Sequence, residues 1–509
     1  MSGRRRAFAG AVGVTLAGQL CAVAYEIAVA GRFGTGVEAD ALALALTVVI
    51  AVANEIVGWV STLFVPHYIE AQQKAGATAA GSFFRASLGL LAGGTVLLMV
   101  GLIVASSSLA GLLAPGAAVR QIGAGLLRLF APLVVLLPLS VLLAGALQAH
   151  GRFVVASLRQ LCWYGVALVA VVALGRRLGP PAVAMGMVGG LVLFGAILAL
   201  AIAARQGVPR GGEPAGPRIR RVLTSLLPLA LASGANYVNI MVERGLAARL
   251  PEGSLAALTY AFRLLNFPMN LFLLNAATML LPPLALHAAR NDTAQLEALL
   301  RRALRLALVF TVPLAALAIA LAEPAISVLL QRGAFTADST RLTATALACY
   351  APGLCGMAGV HVLSRAYQAL QEVRRMAWTG IAVIVLNIVL MSLLTAIFGF
   401  PGLPLAMSVS GVTLFAVMLL AIRPRLPGLG PGAVLASAGR TLVAGAVAAG
   451  CIAIVRGSVV AGAAPSLVAG AVVGTAAYAL MLVALSRDDA RLVLALVAPA
   501  WSRRAPGRS

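Results

Sequence analysis

Charge is scarce in this chain. Of 509 residues only 10% are Asp, Glu, Lys or Arg, against about a quarter in soluble globular proteins, and the mean hydropathy is +1.00. So little charge excludes a soluble fold and leaves a polytopic membrane protein. Period-two alternation is also missing, which excludes an outer-membrane barrel and makes the spans helical. Cys21, Cys162, Cys349, Cys355 and Cys451 lie in apolar stretches without metal-ligand spacing, and are read as small hydrophobes. His67, His150, His287 and His361 also lack such spacing, so neither a metal nor any other cofactor is expected. There is no Walker A loop, so ATP hydrolysis by that mechanism is excluded. Gly34-Thr35-Gly36 with Ala39 imitates a dinucleotide fingerprint but follows an apolar helix and not a strand. No loop exceeds roughly 20 residues, too short for a folded catalytic module; the chain does not read as an enzyme.

What is present is a series of apolar runs of about 20 residues, the length that crosses about 30 Å of hydrocarbon. About 14 spans are expected, near 8–30, 41–65, 83–107, 122–147, 154–174, 182–204, 222–246, 255–286, 303–322, 342–369, 376–398, 402–422, 436–455 and 459–486. Arg4, Arg5 and Arg6 before the first run resemble a signal peptide, but the apolar stretch continues to about residue 30 and reads as a retained helix. The chain has 38 basic against 15 acidic residues. With both termini cytoplasmic, most of the basic residues fall in inner loops, the positive-inside pattern. The excess therefore reflects topology, with some contact to anionic membrane lipids, and no nucleic-acid partner is expected. Prolines 132, 138, 268, 313 and 352 are expected to interrupt their helices.

The polar residues inside the spans repeat. Gln19 and Glu26 have counterparts in Asn236 and Glu243, an offset of 217 (236 − 19; 243 − 26), and Asn54 and Pro66 in Asn270 and Pro282, an offset of 216 (270 − 54; 282 − 66). Such repeats build two lobes around one pathway. Spans 1–6 (residues 1–204) form an N-terminal lobe, 205–221 a cytoplasmic linker carrying Arg205, Arg210, Arg218, Arg220 and Arg221, and spans 7–12 (222–425) a C-terminal lobe of the same orientation. Residues 426–509 add spans 13 and 14 and a basic cytoplasmic tail.

Span 8 is the richest in polar side chains. Thr259, Arg263, Asn266 and Asn270 follow spacings of four, three and four, which places them on one helical face. A central arginine costs roughly 2.5–3.5 kcal/mol on insertion scales, so it faces a cavity or a partner rather than lipid. It is either a phosphate donor, for which guanidinium geometry is suited, or a structural partner of Glu26 or Glu243. Thr15, Gln19 and Glu26 share a face of span 1, Asn236, Asn239 and Glu243 a face of span 7, and Thr47, Asn54 and Ser61 a face of span 2 with Glu55 beside it. Glu26 suits two roles, coupling or gating through a proton, cation or arginine, and a salt bridge between lobes. Glu243, next to Arg244, leans to a structural role. Arg128, Arg159 and Arg365 are expected to snorkel to an interface.

Several runs carry a family resemblance: QRGAFTADST at 331–340, RFGTGVEADA at 32–41, FVPHYIEA at 64–71, LLAPG at 112–116, QAHGRF at 148–153, YAFRLLNFP at 260–268 and LSRAYQAL at 363–370. Their order over about residues 10–425 resembles the MurJ/MviN family, the lipid II flippases of the multidrug/oligosaccharidyl-lipid/polysaccharide exporter superfamily. The resemblance implies two six-helix lobes plus two trailing helices; the mechanism expected of them is alternating access, by a monomer. It also implies a lipid-linked oligosaccharide as substrate, the undecaprenyl-pyrophosphate-linked peptidoglycan precursor exported across the inner membrane. The polar faces offer Arg263, Asn266, Asn270, Thr259, Gln19 and Asn54 as substrate-binding residues and Glu26, Glu243 and Asn239 as coupling or gating residues, and of these the resemblance itself selects Arg263. Family members carry cavity arginines in span 1 and a Pro-Asn-Leu-Leu-Arg-Arg-like stretch in span 2. Here span 1 has Gln19 and Tyr25, span 2 reads VIAVANEIVG at 49–58, and only the span 8 arginine is kept, as Arg263. A flippase for another polyprenyl-linked glycan, or a cation-coupled small-molecule exporter, are the alternatives.

Overall fold

A computed structural model of the chain describes residues 2–74, 76–114, 116–149, 152–203, 234, 237–269, 274–429, 431–458 and 462–486. The linker 205–221, Asn236, Asn270 and the tail beyond Ser486 lie outside the described residues. Every regular element among the described residues is a helix. Among the described residues eleven helices are long and apolar enough to cross a membrane. A twelfth span is the pair Ala337–Tyr350 and Gly353–Ala369, bent by 45°. These twelve match twelve of the fourteen runs expected above; the other two, 222–246 and 255–286, fall partly outside the described residues. Large apolar side chains stand open to the surroundings along the helices, Leu97 at 74%, Val104 at 78% and Leu480 at 72%. Water would penalise that surface and lipid does not. The protein is an all-α, multi-pass membrane protein.

The described residues form two compact units. The first takes in those up to Ala256 together with Arg332–Thr336, the second Ala257–Gln331 and those from Ala337 onward.

The first unit begins with α1 (Ser2–Phe33) and α2 (Val37–Trp59). A π-turn over Val60–Phe64 links α2 to α3 (Val65–Lys74). Pro66 explains it, since it cannot donate to the Thr62 carbonyl and the ladder widens to find other donors. Next come α4 (Gly76–Leu113), α5 (Ala117–Phe130), α6 (Leu133–Ala149), α7 (Phe153–Ser157), α8 (Arg159–Leu178), α9 (Pro181–Ala203) and α10 (237–247). Helix α8 packs on α1 and α9, and α2 packs on α5 and α6. Glycine permits these approaches: a Cβ on Gly190 of α9 would stand 2.6 Å from the Cys162 carbonyl, the small-residue packing of membrane helices.

Helix α11 (Ser254–Pro268) starts in the first unit and ends in the second. The second unit continues with α12 (Leu274–Ala289), α13 (Thr293–Ala320), α14 (Ala322–Leu330), α15 (Ala337–Tyr350), α16 (Gly353–Ala369), α17 (Val373–Phe398), α18 (Gly402–Ala421), α19 (Pro431–Ser458) and α20 (Ala463–Leu485). Helix α18 packs on α16 and α17, and α13 packs on α16 and α19.

Two of the five prolines break their helices and two do not. Pro132 stands in the turn between α5 and α6 and Pro352 in the turn between α15 and α16; Pro268 is the last residue of α11, and residues 270–273 after it lie outside the described residues. Pro138 and Pro313 correct the expectation, for α6 and α13 run through them. At Pro313 the reason is visible. The Val309 carbonyl, four residues back and deprived of its helical donor, accepts a hydrogen bond from the Tyr478 hydroxyl of α20 at 3.0 Å.

Candidate functional site

Polar side chains inside apolar helices are costly unless they are paired or face a cavity, so their placement locates the machinery. In the first unit α1 carries Gln19 and Glu26, both half-buried, and Tyr25, fully buried, whose ring lies 5.5 Å from that of Tyr164 on α8. Helix α8 fits closely against α1 because Gly18 has no Cβ; one there would stand 2.8 Å from the Gln160 Cβ. On α2, Asn54 is exposed within its unit while Glu55 is half-buried. The Glu55 carboxylate accepts from Trp59 Nε1 at 2.7 Å and has the Tyr237 hydroxyl at 2.8 Å; that hydroxyl also lies 2.9 Å from the Ala51 carbonyl. Tyr237 thus ties α10 to α2. Further along α10, Asn239 is half-buried and Glu243 and Arg244 are both buried.

In the second unit α11 presents Thr259, buried, and Arg263 and Asn266, half-buried, on one face. Asn266 donates one side-chain amide hydrogen to the Phe262 carbonyl of its own helix at 2.9 Å, leaving its second amide hydrogen and its carbonyl oxygen as the groups it can offer outward. Phe262 makes an edge contact with Tyr350 of α15 at 5.7 Å, which sets the rotation of α11 about its axis. Asn270, the fourth member of the stripe, lies outside the described residues, as does Asn236 of the α10 stripe.

One group of first-unit residues was not singled out by sequence reasoning. The loop between α1 and α2, the start of α11 and the segment Arg332–Thr336 come together there. Asp40, in the first turn of α2 and only 5% exposed, accepts from the Gly253 and Ala256 backbone N–H groups at 2.7 and 2.8 Å. It thereby satisfies the open donors at the start of α11. Glu252 returns the arrangement, accepting from the Val37 N–H at the start of α2 at 3.0 Å. Ala334 N–H donates to the Gly31 carbonyl at 2.9 Å. Gly253 holds φ +89° with its missing Cβ aimed at the Thr35 carbonyl, and Gly333 holds φ +59° against the Gly31 carbonyl; at neither position would a side chain fit. The available signal was an acid in a first helical turn, Asp40, inside the RFGTGVEADA run.

Two of the span arginines have hydrogen-bond partners on a neighbouring helix or their own. Arg128 on α5 donates to the Ser106 and Ser107 hydroxyls of α4, both at 2.8 Å, so it pins two helices together. Arg365 donates to Gln368 at 3.0 Å on its own helix. Among the described residues no group of three or more His, Cys, Asp or Glu is placed to hold a metal.

The comparisons with known proteins bear on what this arrangement serves. The family model of lipid II flippase MurJ matches residues 29–472. The chain belongs to the MurJ family. It is 26% identical over 427 residues to the lipid II flippase MurJ of Burkholderia cenocepacia, covering 81% of this chain and 82% of that protein. Over 392 residues it is 28% identical to the probable lipid II flippase MurJ of Rhizobium meliloti, covering 74% and 73%. A solved MurJ in an inward closed conformation superposes with TM-score 0.77 at 20% identity, over 94% of this chain and 99% of that one. An inward-facing multidrug MATE transporter of the MOP superfamily gives TM-score 0.71 at 17% identity, over 82% and 98%. The helices described above thus form the MurJ/MATE transporter fold, and the family is one of transporters rather than catalysts.

Proposed function

We propose that the chain is an alternating-access flippase that moves lipid II, an undecaprenyl-pyrophosphate-linked peptidoglycan precursor, across the inner membrane. The observation that carries this reading is the family match over residues 29–472, which includes the helix face Thr259–Arg263–Asn266 with its guanidinium. Arg263 is the donor for the pyrophosphate, because a planar fork pairs with phosphate oxygens through two hydrogen bonds. Thr259, Asn266, Asn270, Gln19 and Asn54 supply neutral donors around it, while Glu26, Glu243 and Asn239 serve coupling or gating. The headgroup crosses inside and the prenyl tail stays in lipid. Residues 1–204 and 222–425 act as the two lobes, 205–221 as the linker and 426–509 as the trailing pair. The protein works as a monomer and without nucleic acid.

The positive-inside pattern supports cytoplasmic termini, with Asp338 outside and Arg374 inside. Single cysteines at these two exposed positions, in a chain with its five native cysteines replaced, should label from opposite sides; labelling from one side would refute the orientation. For transport, vesicles reading outward exposure of labelled lipid II should lose activity with Arg263→Ala. Near-normal flipping by that variant would remove Arg263 from the site. A second reading, a flippase for another polyprenyl-linked glycan, draws support from span 2, where Asn54 and Glu55 stand in a stretch that is arginine-rich in the family. An assay supplying both lipid-linked substrates decides between the two.

A further inference from the structure

A cleft of about 400 Å³ opens in the second unit, away from the Arg263 face, and among its lining residues are Arg341, Arg456, Glu323, Thr340 and Ser466. Helix α14, which carries Glu323, exists because the chain breaks at Leu321, where the first unit has a single 38-residue helix, α4. The cleft sits where the spans Ala436–Gly457 and Ala463–Leu485 end and begin, and hence at a membrane surface. Three helices start in its wall, α14 at Ala322, α15 at Ala337 and α20 at Ala463, and the buried first-turn hydroxyls of the last two, Thr340 and Ser466, line it.

Helix starts carry partial positive charge and arginines full charge, so the lining favours an anion. Arg456 is held in place by the Ala320 carbonyl, to which its Nη1 donates at 2.8 Å, and stands 3.5 Å from the Glu323 carboxylate. Arg341 is exposed, and no hydrogen bond or ion pair to a described residue engages its guanidinium. The single acid and the end of α14 at Gln331 are thus outnumbered by two guanidinium groups and the starts of α14, α15 and α20. Apolar side chains of the framing helices, Ile454 at 68% and Val468 at 64% exposure, lie within a turn of Arg456 and Ser466 along the chain, which brings acyl-chain territory close to the cleft.

We propose that this cleft binds a phosphate group, and that the group is the phosphodiester of an anionic phospholipid at the membrane surface. The orientation proposed above places that surface outside, but the binding itself does not depend on it. Native mass spectrometry of the full-length protein in detergent, titrated with phosphatidylglycerol or phosphatidylcholine, tests the idea. Phosphatidylglycerol should be retained in preference to phosphatidylcholine. Arg341→Ala should weaken that retention roughly fivefold, the scale of one lost charge at such a site, and Glu323→Gln should strengthen it. Inorganic phosphate at the same concentration should not displace the lipid. Equal retention of the two lipids, or retention unchanged by Arg341→Ala, would overturn the site. Displacement by equimolar phosphate would overturn the lipid assignment in favour of a free anion. Arg456→Ala is the variant at risk of misfolding, since Arg456 holds a backbone carbonyl. Arg341→Ala touches no described partner, and unchanged thermal unfolding without lipid is its control. Flipping of lipid II by Arg341→Ala, measured separately, should be unchanged.

Discussion

The two units are built on one backbone plan and held by different chemistry. Helices α5 and α6 end at Phe130 and Ala149, and α15 and α16 at Tyr350 and Ala369, each 220 residues later (350 − 130; 369 − 149). The Ala131-Pro132 break recurs as Ala351-Pro352, and the left-handed Gly179 after α8 recurs as Gly399 after α17, both at φ +66°. Yet at the second break Ser408 bridges two backbone groups, donating to the Cys349 carbonyl at 2.6 Å and accepting from the Gly353 N–H at 3.2 Å, whereas 220 residues earlier stands Val188. Tyr367 donates to the Met418 carbonyl at 2.8 Å; its counterpart Leu147 packs instead in an apolar cluster with Phe194 and Leu198. The same bend can therefore be secured by hydroxyls or by hydrocarbon. Polar fastening leaves buried donors and acceptors that must stay paired, and apolar fastening does not.

The largest expected effect breaks the comparison at the site. Arg263→Ala should abolish flipping, a loss of at least about tenfold if a bidentate charge-assisted contact goes, while expression and detergent stability persist. Arg263→Lys should recover little, since a point charge lacks the fork. Next comes the first unit's glycine-lined group. Gly253→Ala forces a side chain into the left-handed region against a carbonyl and should destabilise by about 1–3 kcal/mol; unchanged thermal unfolding in detergent would refute the packing. The repeat itself is then tested in a matched pair. Ser408→Ala leaves two backbone groups without their side-chain partner and should cost about 1–3 kcal/mol, whereas Val188→Ser should not stabilise the first unit. A gain there equal to the loss at Ser408 would mean that the two bends are interchangeable. The smallest effect is that of Tyr478→Phe, about 0.6–1.7 kcal/mol by the measured range for hydrogen bonds between membrane helices, read as a lowered midpoint of thermal unfolding.

The all-helical membrane fold and twelve of the fourteen runs were legible because length and hydrophobicity decide spans. In the sequence a repeat is suggested at Gln19, Glu26, Asn54 and Pro66 by offsets of 216 and 217. The later offset of 220 was not legible, because it is carried by Ala-Pro, Gly and helix ends that have no side-chain chemistry to mark them. The α11 stripe was legible as geometry, since 3.6-residue spacing is local. Asp40, Tyr237 and Ser408 were not legible, because each acts on a partner more than fifty residues away, and spacing along one helix carries no information about such partners. Pro313 misled for the same reason. What lets α13 run on is a tyrosine 165 residues downstream (478 − 313).

That tyrosine has a consequence for how the protein is made. During synthesis α13 enters the bilayer long before α20 has left the ribosome, and until then the Val309 carbonyl faces hydrocarbon or a temporary partner such as a water or the insertion machinery. Assembly of the second unit is therefore complete only when the last described helix arrives. Topology reporters fused after α18 would sample an intermediate of biogenesis rather than the finished transporter.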